Sequence, residues 1–184
     1  MKVAICRYGA GNVRSVELAL LRLGAVLVDD VERADLAVLP GVGAARTALA
    51  GLRARGHDTA LAERLAAGRA VLGICLGLQL ALEGSEEDGG TEGLGLLEGR
   101  AVRLREGRVP RLGWAEVDPL SETYYFAHSY ACETPHATAW SEGIVAEARA
   151  GSFVGVQFHP EKSGAAGARY LERVIDEVRC PSLA

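Results

Sequence analysis

Short apolar runs and helical patterns take turns along the first half of the chain. Lys2 to Cys6 (KVAIC) reads as a strand, followed by the glycine-rich loop Tyr8-Gly9-Ala10-Gly11-Asn12. Val13, Val16, Leu20 and Leu23 then recur at helical spacing, with Asn12 placed as N-cap and Gly24 as the stop. Val26 to Val28 and Leu36 to Leu39 read as two more strands, the latter ended by Pro40-Gly41. Helical stretches run to about Arg55 and from about Asp58 to Ala67. Ala70 to Ile74 is a fourth strand, apolar almost throughout, as expected when both faces are covered. This alternation predicts an α/β fold whose mostly parallel sheet is flanked by helices.

The pattern changes after about Glu83. Gly84 to Gly95 is rich in Gly, Glu, Ser and Asp and reads as a surface loop. β-like runs follow at Ala101 to Leu104, Tyr124 to Ala127, Thr138 to Trp140, Ile144 to Ala148 and Phe153 to Phe158, joined by short turn-like connections. They predict an antiparallel portion in the second half. A last helix, about Ala165 to Val178, gathers Tyr170, Leu171, Val174, Ile175 and Val178 on one face. No repeat or linker divides the sequence, so 1–184 is expected to form one domain.

Composition narrows the options. Of 184 residues, 49% are hydrophobic and 24% charged, which fits a globular chain. A net charge of -4 argues against a dedicated nucleic-acid surface. No apolar run nears the roughly 18 residues a membrane span needs. The opening Met1 to Cys6 is too short for a secretory signal, so a cytoplasmic location is expected. Cys6, Cys75, Cys132 and Cys180 are scattered, without zinc or disulfide spacing; free thiols and no metal are expected.

Cys75 stands apart from the other three. In Val71-Leu72-Gly73-Ile74-Cys75-Leu76-Gly77-Leu78-Gln79 an apolar strand runs straight into a helix, with a glycine two residues away on each side of the cysteine. That is the pattern of a nucleophile elbow, in which a sharp turn holds the nucleophile in strained backbone and small neighbours make room for it. The helix that follows turns unpaired N–H groups toward the sulfur, which favours thiolate, and the Leu76 N–H is placed as an oxyanion donor. For an arbitrary cysteine, packing as a small hydrophobe is the commoner role, and Cys6, Cys132 and Cys180 keep it.

A nucleophilic cysteine needs a base, and the base needs an orienting partner. His159 sits in Gly155-Val156-Gln157-Phe158-His159-Pro160-Glu161-Lys162-Ser163, at the end of an apolar run. Pro160 discourages helix at His159, and in an extended segment residues two apart face one way, so Glu161 should hold one imidazole nitrogen while the other faces Cys75. A lone histidine at a strand end is more often a structural residue; the matching elbow tips the balance. His57 and His136 read as loop residues. His128, in Phe126-Ala127-His128-Ser129-Tyr130, reads as part of a site wall, since no acid lies two positions away.

Gly73 to Gln79 and Phe158 to Glu161 resemble the two signatures of class I, triad-type glutamine amidotransferases. Tyr8 to Asn12, Pro40-Gly41-Val42-Gly43 and Val109-Pro110-Arg111-Leu112-Gly113-Trp114 narrow the resemblance to the glutaminase-subunit family of imidazole glycerol phosphate synthase. The similarity runs from Lys2 to about Ser163. It implies a flavodoxin-like fold and a glutaminase with no cofactor, in which Cys75 attacks the glutamine amide, ammonia leaves, and water hydrolyses the glutamyl thioester. It also implies an oxyanion hole pairing the Leu76 N–H with that of Val42 or Gly43, and low activity until a partner closes the site. Gly43, Gln79, Ser129 and Tyr130 match the family's glutamine contacts. Ammonia would pass to a (β/α)8 cyclase subunit, with Asn12, Arg14, Trp114 and Lys162 toward that partner; core packing is the plain alternative for Trp114.

Arg111, Leu112 and Ala115 depart from the His, Met and Asn usual there, and Ala45 stands where an aromatic is common. Competing readings are another class I amidotransferase, a stand-alone cysteine peptidase or γ-glutamyl hydrolase, and a non-catalytic binding module. The last gains little from Gly9 to Arg14, which offers G-x-G-x-x-R without the third glycine.

Overall fold

The computed structural model describes residues 1–9, 13–41 and 43–180. The first half forms β1 (Lys2–Ile5), α1 (Arg14–Arg22), β2 (Val26–Val28), β3 (Leu36–Leu39), α2 (Ala45–Arg53), α3 (His57–Ala66), β4 (Val71–Ile74) and α4 (Leu76–Ala81). The second half adds β5 (Leu82–Ser85), β6 (Thr91–Glu92), β7 (Leu97–Arg103), β8 (Arg111–Val117), β9 (Glu122–His128), β10 (Tyr130–Glu133), β11 (Ala137–Ser141), β12 (Ile144–Ala150), β13 (Phe153–Val156) and α5 (Gly164–Arg179), with 3-10 turns at Glu87–Gly89 and Pro160–Lys162.

The central sheet has the order β11-β12-β13-β4-β3-β1-β2. β13, β4, β3, β1 and β2 run parallel, and β11 and β12 join antiparallel at one edge. Alternate residues of each inner strand go to opposite faces. Val3, Ile5, Leu36, Val38, Leu72, Ile74 and Val156 pack with α1 and α5, while Ala4, Ala37, Leu39, Val71 and Phe153 pack with α2, α3 and α4. Burial on both faces explains why these strands read as continuous apolar runs.

The structure corrects three sequence expectations. Gly84 to Gly95 is not a plain surface loop: β5 and β6 belong to a second sheet of order β10-β7-β5-β6. Its polar turn also does tertiary work, because Glu87 Oε2 accepts the Ala45 N–H at 3.0 Å and so caps α2, whose own Ala44 offers no side-chain cap. β8 has no counterpart among the expected strands; it pairs along its length with β9 as a separate antiparallel ribbon. The strand expected over Phe153 to Phe158 stops at Val156, four residues before the 3-10 turn at Pro160. The N-cap role expected of Asn12 lies outside the described residues; Val13 occupies the cap position of α1, with no side-chain hydrogen bond.

α3 is anchored by one buried arginine. The Arg64 guanidinium donates to the carbonyls of Val31 (2.7 Å), Glu32 (3.2 Å), Ala34 (2.8 Å), Asp35 (3.1 Å) and Ala70 (2.9 Å). These carbonyls belong to the turns entering β3 and β4; that of Ala70 also accepts the Ala37 N–H at 3.1 Å, and the side chain ties the others to it.

Candidate active site

Three segments lie at the carboxyl edge of the central sheet: Pro40 and Gly41 after β3, Cys75 after β4, and His159 to Ser163 beyond β13. Outside the carboxyl ends of parallel strands is where open α/β sheets form their clefts.

Cys75 adopts φ 50, ψ -107 between strand and helix, a region that L-residues avoid. The conformation is over-determined. Its N–H donates to Val156 O at 2.7 Å, and its carbonyl accepts the N–H of Leu78 at 3.1 Å and Gln79 at 3.3 Å. Missing side chains allow the tight turn. A Cβ on Gly41 would stand 2.0 Å from Ile74 O, and one on Gly77 2.0 Å from Leu39 O. α4 has only six residues, so individual N–H groups rather than a long helix dipole bear on the sulfur.

His159 lies beside the cysteine. Its imidazole is close enough to the Cys75 side chain for that group to raise its pKa, and its Nδ1 lies 2.8 Å from Glu161 Oε1. The two side chains are 2% and 4% exposed. Burial alone would lower the His159 pKa, but the contacts with Cys75 and Glu161 outweigh it and raise the value to about 9. The proton-bearing imidazolium is therefore favoured at neutral pH. Glu161 reaches His159 by a route different from the one expected. Residues 160–162 form a 3-10 turn rather than an extended segment, and the turn folds the carboxylate back onto the ring.

The loop is pinned from below. The Ser163 hydroxyl donates to His159 O at 2.7 Å and accepts the Tyr125 N–H at 2.9 Å, while the His159 N–H donates to Tyr125 O at 2.9 Å. Phe158 stacks on Tyr124 at 4.1 Å, and Tyr170 meets Phe158 edge-on at 5.1 Å. The imidazole thus stands on a packed aromatic base.

A buried amide system lies on the other side of the sulfur. Gln79 Nε2 donates to Tyr130 O at 2.8 Å and to Gln157 Oε1 at 3.0 Å. Gln157 Nε2 lies 3.6 Å from Cys75 Sγ. His128 also uses the Tyr130 carbonyl, through Nδ1 at 2.9 Å, and its Nε2 is buried without a partner. Burial, with smaller contributions from Arg111 and His159, lowers the His128 pKa to about 4 despite that hydrogen bond, so the ring is neutral.

Cys75, His159, Glu161, Gln79 and Tyr130 are therefore brought together. Leu76 follows Cys75 directly and is 5% exposed. Gly43 has φ 112 and sits in the loop that Gly41 presses against the elbow. Ser129 is half-buried between His128 and Tyr130. Val42 and Asn12 lie outside the described residues. The remaining candidates stand apart on the surface. Trp114 is 58% exposed, which excludes core packing, and meets Tyr125 edge-on at 5.8 Å; Leu112, two residues earlier on β8, is 55% exposed. Arg14 pairs with Glu17 at 3.3 Å, and Lys162 is exposed in the 3-10 turn. Arg111 turns away from that surface, its guanidinium 4.3 Å over the Phe126 ring and bonded to Ser141 Oγ (2.9 Å) and Glu142 (2.8 Å).

Sequence reasoning misses Gln157 and Ser163 as site residues, although both lie in the Gly155 to Ser163 segment. The available signal is a lone amide between Val156 and Phe158, in a run otherwise buried and apolar.

The family model for class-I glutamine amidotransferases matches residues 8–178. The chain is 43% identical to the imidazole glycerol phosphate synthase subunit HisH of Symbiobacterium thermophilum, over 92% of this chain and 91% of that one. It is 37% identical to the protein of the same description from Oceanobacillus iheyensis, over 96% and 100%. Among solved structures, one described as a glutamine amidotransferase superposes with a TM-score of 0.79 at 23% identity, over 96% of this chain and 98% of that one. A glutamine amidotransferase from Thermotoga maritima gives 0.62 at 20% identity, over 100% and 86%; at such identities the likeness concerns the fold.

Proposed function

The chain belongs to the class-I glutamine amidotransferase family, and on that footing we propose that Cys75, His159 and Glu161 are its catalytic triad. The protein is the glutaminase subunit of imidazole glycerol phosphate synthase in histidine biosynthesis. It hydrolyses glutamine to glutamate and ammonia and works with a cyclase subunit. The match over 8–178 supports reading 1–184 as one amidotransferase domain. No helix among the described residues is long and apolar enough to cross a membrane, and we place the work in the cytoplasm.

One observation carries the triad: a cysteine held at φ 50 stands beside an imidazole whose Nδ1 is committed to a buried carboxylate 2.8 Å away. With the proton held by His159 as imidazolium, the sulfur attacks the glutamine amide carbon, forming a C–S bond and an oxyanion. The Leu76 N–H, with that of Gly43 or Val42, receives the oxyanion. His159 then protonates the leaving nitrogen, and ammonia departs as the carbonyl re-forms. Neutral His159 takes a proton from water, hydroxide attacks the thioester, and glutamate leaves as the C–S bond breaks. Glu161 holds the ring in place and steadies the imidazolium. Gly43, Gln79, Ser129 and Tyr130 hold the substrate.

Ammonia passes to the (β/α)8 cyclase subunit. Trp114, Arg14, Lys162 and Asn12 are assigned to that interface; exposed Trp114 and Leu112, on one side of β8, support the assignment. Glycine in the Pro40 to Gly43 loop makes a backbone flip cheap, which fits a second oxyanion donor completed when the partner docks.

The test is mass-mapped labelling with a glutamine-mimicking electrophile, with and without the cyclase subunit, beside Cys75→Ser. Label is expected on Cys75 alone and more rapidly in the complex. Cys75→Ser should lose glutaminase activity while the complex still uses added ammonia. Label on another residue, or a fully active Cys75→Ser, sinks the triad; equal rates with and without partner sink the switch.

A further inference from the structure

We infer that Gln157 is a catalytic contact of the nucleophile: a hydrogen-bond chain beginning at the Tyr130 carbonyl fixes its amide so that an N–H faces the Cys75 sulfur. This deepens the triad reading and rests on it.

The direction of the chain follows from one group that cannot change role. A backbone carbonyl only accepts, so the Gln79 atom 2.8 Å from Tyr130 O must be the NH2 nitrogen. The same nitrogen lies 3.0 Å from Gln157, whose facing atom must then be its oxygen. The Cys132 thiol approaches that oxygen as a second donor, at 3.8 Å. Turning the Gln157 amide over would set N–H against N–H and S–H. Its nitrogen is left facing Cys75 Sγ at 3.6 Å. The chain is enclosed, with Gln157 0%, Cys132 3%, Cys75 5% and Gln79 6% exposed. Burial of Cys132, and then the Cys75 sulfur beside it, push the Cys132 thiol upward, which keeps its donor proton in place.

Holding the strand does not require this side chain. The Gln157 backbone N–H already donates to Ala146 O at 2.9 Å. Burying an amide between two apolar residues is costly unless it is fully partnered, and here its partners are groups of the site. The contact favours charge on sulfur. In the thiol, Cys75 Sγ can donate to Ala127 O at 3.9 Å; once its proton moves to His159, that carbonyl repels the anion while the Gln157 N–H attracts it. The N–H also bonds the departing thiolate better than the thioester sulfur, so it assists both formation of the thiolate and its departure when the thioester breaks down.

The test reads Cys75 alone, without the glutamine pocket: mass-mapped alkylation by iodoacetamide at neutral pH, on the chain with its cyclase partner, in variants whose melting matches wild type. Gln157→Glu keeps an oxygen for Gln79 and Cys132 but removes the donor from the sulfur. Its Cys75 alkylation is expected to fall at least about tenfold, the weight of one hydrogen bond to a charged group. Gln79→Glu touches no sulfur but lets the Gln157 amide turn over, and alkylation is expected to slow there too; this variant decides should Gln157→Glu unfold. Wild-type alkylation rates in the folded variants overturn the inference and leave the triad standing. A wild-type complex that hydrolyses no glutamine through Cys75 defeats the triad reading itself.

Discussion

Replacing Glu161 by glutamine removes one charge from a site where the structure gives that charge a large effect. The His159–Glu161 pair is 2.8 Å apart and almost wholly buried, and with Cys75 it lifts the imidazole from 6.5 to about 9 against the opposing effect of burial. A folded-state pKa raised above the unfolded value stabilises the protein fully below pH 6.5, and that stability is lost as pH rises through about 9. At 1.36 kcal/mol per unit, up to about 3 kcal/mol is at stake. In Glu161→Gln the carboxylate attraction is gone, burial acts with less opposition, and the imidazole titrates lower. Urea unfolding at pH 6.5 and pH 9.5 should therefore show wild type losing at least about 1 kcal/mol more than the variant over that interval. Comparing the two chains cancels titrations they share. Glutaminase activity with the cyclase subunit should fall on the order of a hundredfold or more, because an amide can hold the wrong imidazole tautomer. Parallel pH–stability curves together with near-wild-type activity would refute the assignment of Glu161.

Three further outcomes follow from the packing. Gly77→Ala would put a Cβ 2.0 Å from Leu39 O, where backbone rather than a flexible side chain must move; thermal melts should show a loss of about 3 kcal/mol or more, with glutaminase activity abolished. His128 is held neutral with its pKa lowered to about 4, so its contribution to stability is present above pH 6.5 and lost as pH falls toward 4; His128→Asn should flatten acid unfolding in that window, and an unchanged acid limb would contradict the burial argument. Arg64→Met removes the guanidinium from five carbonyls around α3, of which Ala70 O keeps the Ala37 N–H, and equilibrium unfolding should register a loss of about 3–5 kcal/mol. A loss under about 1 kcal/mol would mean that water replaces the guanidinium.

The proposed nucleophile is legible because its constraint is local. A strand, a cysteine and flanking glycines lie within a few residues, and the turn that strains Cys75 is specified by that segment. His159 and Glu161 are legible for the same reason, although their geometry is not the extended one expected: a 3-10 turn brings the carboxylate to the ring. The parallel core is legible because two-sided burial writes itself as unbroken apolar runs.

The second half of the chain resists reading because its sheets are short and their partners distant. Glu87 looks like a loop residue until α2 is found above it, and β8 takes its pairing from β9 rather than from its own Arg-Leu-Gly-Trp pattern. Gln157 shows the limit most clearly. Its identity as an amide in an apolar run is in the sequence, but its direction is set by Tyr130 through Gln79, residues separated from it by 27 and 78 positions. The sequence by itself determined which side chains form the proposed triad and which strand–helix turn strains Cys75, since those follow from neighbouring residues. Tertiary structure alone decided which atoms of those side chains meet, because hydrogen-bond polarity and close backbone approach depend on groups that only the folded chain makes neighbours.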